Sequence, residues 1–148
     1  MLTLYKTLVR PLLDYCSPVW SPYRKNDIMK IEKIQKRYTK MIEGCKSLSY
    51  GERLERLSLT TLEVRRHRAD LIQVFKIIND EGRTYPNDFF TFRERTGRKN
   101  TMKIYKKRVN SDLEKNGFVF RVVEPWNALP NDIVTSKDEI IFTCKLDY

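Results

Sequence analysis

Glycine and proline are scarce in this chain, at 5 and 6 of 148 residues, and no stretch is low in complexity or repeats at a fixed period. Solenoids, propellers and other repeat architectures are thereby excluded. Cysteine occurs three times, at Cys16, Cys45 and Cys144, an odd number set far apart. That spacing fits free thiols in a reducing compartment and no disulfide framework. The single histidine, His67, cannot join them in zinc-knuckle spacing, so no metal site and no cofactor is expected. No run approaches 18 apolar residues, and the N-terminus lacks the basic, apolar and small-residue succession of a secretory signal. The expectation is a soluble intracellular chain, nuclear or cytoplasmic, with no membrane partner.

Catalytic patterns are missing as well. A two-metal polymerase needs clustered carboxylates, yet no two aspartates are adjacent and no Tyr-x-Asp-Asp turn is present. There is no Gly-rich phosphate loop, no Gly-x-Ser-x-Gly elbow, and no cysteine with a plausible histidine and acid partner. Asp14 beside Tyr15 reads as a cap or an ion-pair partner, and nothing near His67 would orient it as a base. Alone, the chain is expected to be inert as an enzyme.

What the chain does hold is positive charge. Lys and Arg number 29 against 19 acids, giving +10 and a pI near 9.6. Such a balance attracts polyanions, nucleic acid first among them. With 41% hydrophobic residues and one-domain length, the chain has material for a core.

The apolar pattern is helical. Leu2, Tyr5, Leu8, Val9 and Leu12 predict a first amphipathic helix, kinked or ended near Pro11, whose N-terminus looks cut. Residues 15 to 22, with Pro18 and Pro22 around Trp20, predict an extended connector whose Trp20 enters the core. From an N-cap at Asn26 or Asp27, Ile28, Ile31, Ile34, Tyr38, Met41 and Ile42 predict a helix stopped by Gly44. Ser49 with Glu52, and Thr60 with Glu63, are capping boxes for two more helices. The second would run from Thr61 to about Asn79, burying Ala69, Leu71, Ile72, Phe75 and Ile78, with Gly82 as its stop. A turn at residues 85 to 88 precedes the aromatics Phe89, Phe90 and Phe92, which suit a core edge better than a base-stacking platform. Residues 136 to 148 predict a closing helix packed through Ile140, Ile141, Cys144 and Leu146.

Three basic groups are candidate nucleic-acid contacts. Lys30, Lys33, Lys36, Arg37 and Lys40 fill one arc of the third segment's wheel. Arg65, Arg66 and Arg68 make a dense basic turn with His67. Arg93, Arg95, Arg98, Lys99, Lys103, Lys106, Lys107 and Arg108, against the single acid Glu94, leave seven net positive charges in sixteen residues. That last stretch reads as a loop or short hairpin whose self-repulsion a polyanion would relieve.

The run FVFRVVEPWNALPNDIV at 118 to 134 sets Trp126 between Pro125 and the Leu129-Pro130 pair, predicting a locked corner around a large anchor. Phe118, Arg121, Trp126, Asn127, Leu129 and Pro130 are expected to be structural, as is Trp20. With LVRPLLDYCSPVWSP at 8 to 22 and LSYGERLERLSLTTLEVRRHRADLIQVFKIIN at 48 to 79, this run resembles the segment that follows the polymerase domain in jockey-like, LINE-type non-LTR retrotransposon reverse transcriptases. The resemblance implies a thumb-like helix and connector over 1 to 23, followed by a helical extension. It transfers no catalytic residue, because the family's endonuclease and polymerase centres lie outside the matched segment.

The expectation is a mainly α chain: one small domain of four to five helices, with a helical bundle over 24 to 82, a basic loop or hairpin over 83 to 110, and an irregular Pro/Trp corner and closing helix over 111 to 148. Its expected role is non-catalytic, sequence-independent binding of template RNA, primer DNA or their hybrid. The alternative is an interaction module that packs on a reverse-transcriptase core or another protein, its charges serving only solubility.

Overall fold

A computed structural model describes residues 1–79, 85–92 and 102–146. They are mainly helical, and the one β feature among them is an isolated antiparallel bridge, Phe92 to Ile104. The chain packs as two compact units, Met1–His67 and Arg68–Tyr148.

In the first unit, α1 (Leu2–Leu4), a π-helical turn (Tyr5–Val9) and α2 (Arg10–Asp14) follow one another without a break. The helix expected to kink or end at Pro11 therefore continues to Asp14. Proline lacks an N–H and its ring crowds the preceding turn. The widened turn just before it, in which the Arg10 N–H reaches the Tyr5 carbonyl five residues back, accommodates both defects. Cys16 then takes a left-handed conformation, φ 53°, and α3 (Ser17–Trp20) follows with Pro18 in its first turn. This corrects the extended connector. Trp20 is 40% exposed and its Nε1 donates to the Tyr15 carbonyl at 2.6 Å, so it closes a local turn instead of entering the core.

The long helix α4 (Lys25–Met41) starts after Arg24, not at Asn26 or Asp27, and has no side-chain cap. It ends where Ile42 turns extended, and Gly44 takes φ +73°. The reversal needs glycine: a β-carbon there would meet the Arg56 guanidinium at 3.0 Å. Arg56 NH1 also donates to the Gly44 carbonyl at 2.9 Å, holding the loop.

The face of α4 that is fully buried is polar. Glu32, Gln35 and Thr39 are buried, whereas Ile34 and Met41, assigned to the core from periodicity, are exposed. The reason lies in the neighbours, which supply hydrogen bonds. Gln35 Oε1 accepts from Tyr5 Oη at 2.6 Å, and Gln35 Nε2 donates to Tyr50 Oη and to the Thr60 carbonyl, each at 2.9 Å. Tyr50 Oη donates to Glu32, whose carboxylate also accepts the Leu62 N–H at 3.1 Å. Arg53 Nε donates to Thr39 Oγ1 at 3.2 Å. A buried polar group is tolerable only when so satisfied, and the network then fixes the helix rotation. A small apolar cluster of Tyr5, Leu54 and Leu59 adjoins it.

Local capping held in one case and moved in the other. Helix α5 (Tyr50–Arg56) begins with the expected capping box: the Ser49 N–H donates to Glu52 Oε2 at 2.6 Å, and the Glu52 N–H reaches Ser49 Oγ. Before α6 (Leu62–Asn79) the capping hydroxyl is Thr61, which accepts the Val64 N–H at 3.2 Å. Thr60 instead gives its carbonyl to Gln35. Gly82, the expected stop, lies outside the described residues.

In the second unit, the C-terminal part of α6 buries Asp70, Val74, Phe75 and Ile77, while Leu71, Ile72 and Ile78 pack around that core. The expected apolar face is thus turned toward Asp70, which Arg121 neutralises through two bonds, Nε to Oδ2 at 2.9 Å and NH2 to Oδ1 at 2.8 Å. The 85 to 88 turn is α7 (Pro86–Phe89). Short helices α8 (Asp112–Lys115), α9 (Phe118–Arg121), α10 (Val123–Ala128) and α11 (Asn131–Val134) precede α12 (Glu139–Leu146). The Pro/Trp corner is therefore helical in pieces. Pro125 sits in the first turn of α10 and Pro130 caps α11, both positions where a missing N–H is harmless.

Trp126 is fully buried, as expected, and donates from Nε1 to the Met102 carbonyl at 3.0 Å. Asn127 holds Ile104 at both ends, accepting its N–H at 2.9 Å and donating to its carbonyl at 2.8 Å. Phe118 and Leu129 pack at the rim of the same core, and Pro130 is exposed. Helix α12 is capped by Asp138, whose Oδ1 accepts the Ile141 N–H at 2.8 Å. Its buried side chain is Phe142, stacked on Phe75 at 4.3 Å between centroids, while Ile140, Ile141 and Cys144 are exposed. Of the four residues expected to close the fold, Leu146 alone packs against it. One turn suffices to bury one large aromatic ring, which leaves little core for the rest.

Candidate nucleic-acid interface

Helix α4 carries an unbalanced outward charge because its two acids are engaged elsewhere. Glu32 points inward to Tyr50 and the Leu62 amide, and Asp27 accepts from Lys30 Nζ at 2.8 Å, which holds the Asp27 carboxyl below its ordinary range. Lys30 is thereby spent on its neighbour. Lys33, Arg37 and Lys40 are exposed and form no ion pair among the described residues. At i, i+4 and i+7 they make one stripe over about 10 Å of helix axis. Lys36 stands beside the stripe with Nζ 4.9 Å from the Tyr50 ring centroid, and Lys25, at the helix start, is also exposed.

At the C-terminal end of α4 the stripe runs into an open cleft of about 680 Å³, lined by Arg37, Lys40 and Lys46 together with Met41 and Ile42. Glu43 is the single acid in its lining. Charge counting on the helix had missed Lys46 and Lys25, which flank the apolar pattern. The signal that finds Lys46 is the glycine stop, since a reversed chain returns the next residues to the helix end. Over residues 1–67, 14 Lys and Arg face 7 acids, so the excess is a property of the whole unit.

The second basic group is committed to the fold. Arg65 donates to Asp14 through NH2 at 2.7 Å and Nε at 3.1 Å. Arg66 is buried, and Arg68 NH2 reaches the Thr143 carbonyl at 3.4 Å. Arg65 and Arg68 are thus engaged within the fold and Arg66 is buried, which sets all three apart from the exposed cations of α4. His67 is exposed.

The third group is divided. Arg93, Arg95, Arg98 and Lys99 lie outside the described residues. Lys103 is half-buried, and Lys106 is paired with Glu124, whose carboxyl the hydrogen bond holds below its usual range. Lys107 and Arg108 are exposed and form no ion pair among the described residues. Lys106 therefore leaves the set of uncommitted cations, while its two successors stay in it.

No protein-family model matches the chain, and no curated protein or solved structure matches it either. Among the described residues no helix is long and apolar enough to cross a membrane.

Proposed function

We propose that this chain binds the phosphate backbone of nucleic acid through the outward face of α4, with Lys33, Arg37 and Lys40 as principal contacts and Lys25, Lys36 and Lys46 beside them. The observation that carries the reading is the disposal of the helix's acids: Glu32 is turned inward and Asp27 is paired, so the solvent face is basic without compensation. Cations so placed release counterions from a polyanion and bind it without regard to sequence. Together with the resemblance noted at 8 to 22, 48 to 79 and 118 to 134, this supports a post-polymerase segment of a LINE-type reverse transcriptase that grips template RNA, primer DNA or hybrid. The reading assigns the chain no catalysis of its own.

A salt titration of binding to RNA, DNA and hybrid duplexes tests it. Affinity should fall linearly on logarithmic axes, with a slope near 0.9 per duplex phosphate neutralised, and should not depend on base sequence. Absence of binding at low salt contradicts the reading.

A second reading has its own observation. Leu4, Leu8 and Leu12 are 54%, 63% and 78% exposed along the first helical stretch, an apolar row of the kind that covers a partner. On this reading the stretch packs on a reverse-transcriptase core. Changing the three leucines to Gln should then abolish co-purification with such a core while leaving nucleic-acid binding intact.

A further inference from the structure

The second unit holds an aromatic feature that backbone contacts do not use. Phe89 and Tyr105 are 43% and 50% exposed, and both line one small cleft together with Lys107. Their immediate neighbours, Phe90 and Ile104, are buried, so the core is filled by the adjacent residues and the two outer rings are left over. The backbone that carries Tyr105 is held in place. The Tyr105 N–H donates to the Thr91 carbonyl at 2.6 Å, Phe92 and Ile104 form the bridge, and Asn127 clamps Ile104 from behind. Along 105 to 107, Tyr105 and Lys107 line the cleft, and Lys106 pairs with Glu124. Arg108 follows, exposed.

We infer that the Phe89 and Tyr105 rings form a stacking platform for an unpaired base of single-stranded nucleic acid, with the adjoining phosphates on Lys107 and Arg108. The inference rests on the backbone-binding reading and adds strand form to it. A rigid ring at the surface presents a π-face to which any base can stack, and a neighbouring cation meets the phosphate that the same nucleotide carries. A continuous duplex offers phosphates but no free base face. The cleft itself is only about 60 Å³, too small to enclose a base, so contact is by stacking on the rim and sequence preference is weak.

The test uses the full chain and three fluorescein-labelled probes: a mixed-sequence single strand, an abasic strand of the same length and charge, and a duplex. The base-bearing strand should bind more tightly than the abasic one. Phe89→Ala with Tyr105→Ala should lower affinity for it roughly 10-fold to 100-fold, leaving duplex affinity and salt slope unchanged. Tyr105→Phe should retain the preference, because a phenyl ring stacks as well. Circular dichroism confirms that each variant is folded. Equal affinity for base-bearing and abasic strands, with duplex binding intact, overturns the platform and leaves backbone binding standing; no binding to any probe overturns both. A polyglutamate peptide of matched charge that binds as tightly as the strand, and loses as much to the ring changes, also overturns it by showing a peptide groove.

Discussion

Asp70 and Arg121, 51 residues apart, close a two-pronged ion pair in which the Asp70 carboxylate is almost wholly buried and each of its oxygens accepts one guanidinium N–H, at 2.9 and 2.8 Å. Removing one member of such a pair strands the other. Arg121→Met should therefore destabilise the chain by about 3–5 kcal/mol, whereas Asp70→Leu with Arg121→Met should recover much of that loss. Denaturation midpoints of the single and double variants decide it, and a double variant no better than the single would contradict the account.

Trp126→Ala should cost about 3–5 kcal/mol as a large-to-small core change. The indole is fully buried and its Nε1 donates to the Met102 carbonyl, so the variant loses both packing and that hydrogen bond. An unchanged urea midpoint would be inconsistent with the burial.

The Tyr5 hydroxyl is pushed up to about 12, first by burial and then by the charge of Asp14, with Arg10 opposing. The folded chain therefore keeps this proton at a pH where the unfolded chain, with tyrosine near 10, has begun to release it. The associated stability is fully present below about pH 10 and is lost as pH rises through about 12. Urea midpoints between pH 9 and 11.5 should fall more steeply for the wild type than for Tyr5→Phe. Parallel curves would exclude this tyrosine as the cause.

The three arginines at 65, 66 and 68 give a prediction of the opposite kind. Because Arg65 is paired with Asp14 and Arg66 is buried, Arg65→Ala should lower stability and leave the salt slope of nucleic-acid binding unchanged. A slope that falls with stability intact would return Arg65 to the binding set.

Local signals in the sequence were legible where the partner is nearby. Ser49 and Glu52 cap each other within one turn, and the Trp126 anchor follows from its size and its prolines. The rotation of α4 was not legible, since apolar spacing favours Ile34 and Met41 while the groups that draw Gln35, Glu32 and Thr39 inward, Tyr5, Tyr50 and Arg53, come from other helices. The same holds for the site. Counting charges named Lys33, Arg37 and Lys40, but only tertiary pairing separates them from Arg65, whose acid lies 51 positions away. Pairing also found Lys106 a partner in Glu124, which neither periodicity nor composition could assign.

The measurement that bears most directly on the central claim is the salt dependence of duplex binding by Lys33→Ala, Arg37→Ala and Lys40→Ala combined. If these cations lie on the backbone, the logarithmic slope should fall by roughly 2 to 3 units, with stability nearly unchanged because exposed unpaired charges contribute little to the fold. A folded triple variant that keeps the full slope, while Lys106→Ala, Lys107→Ala and Arg108→Ala together lose it, would contradict the account and move the contact to the second unit.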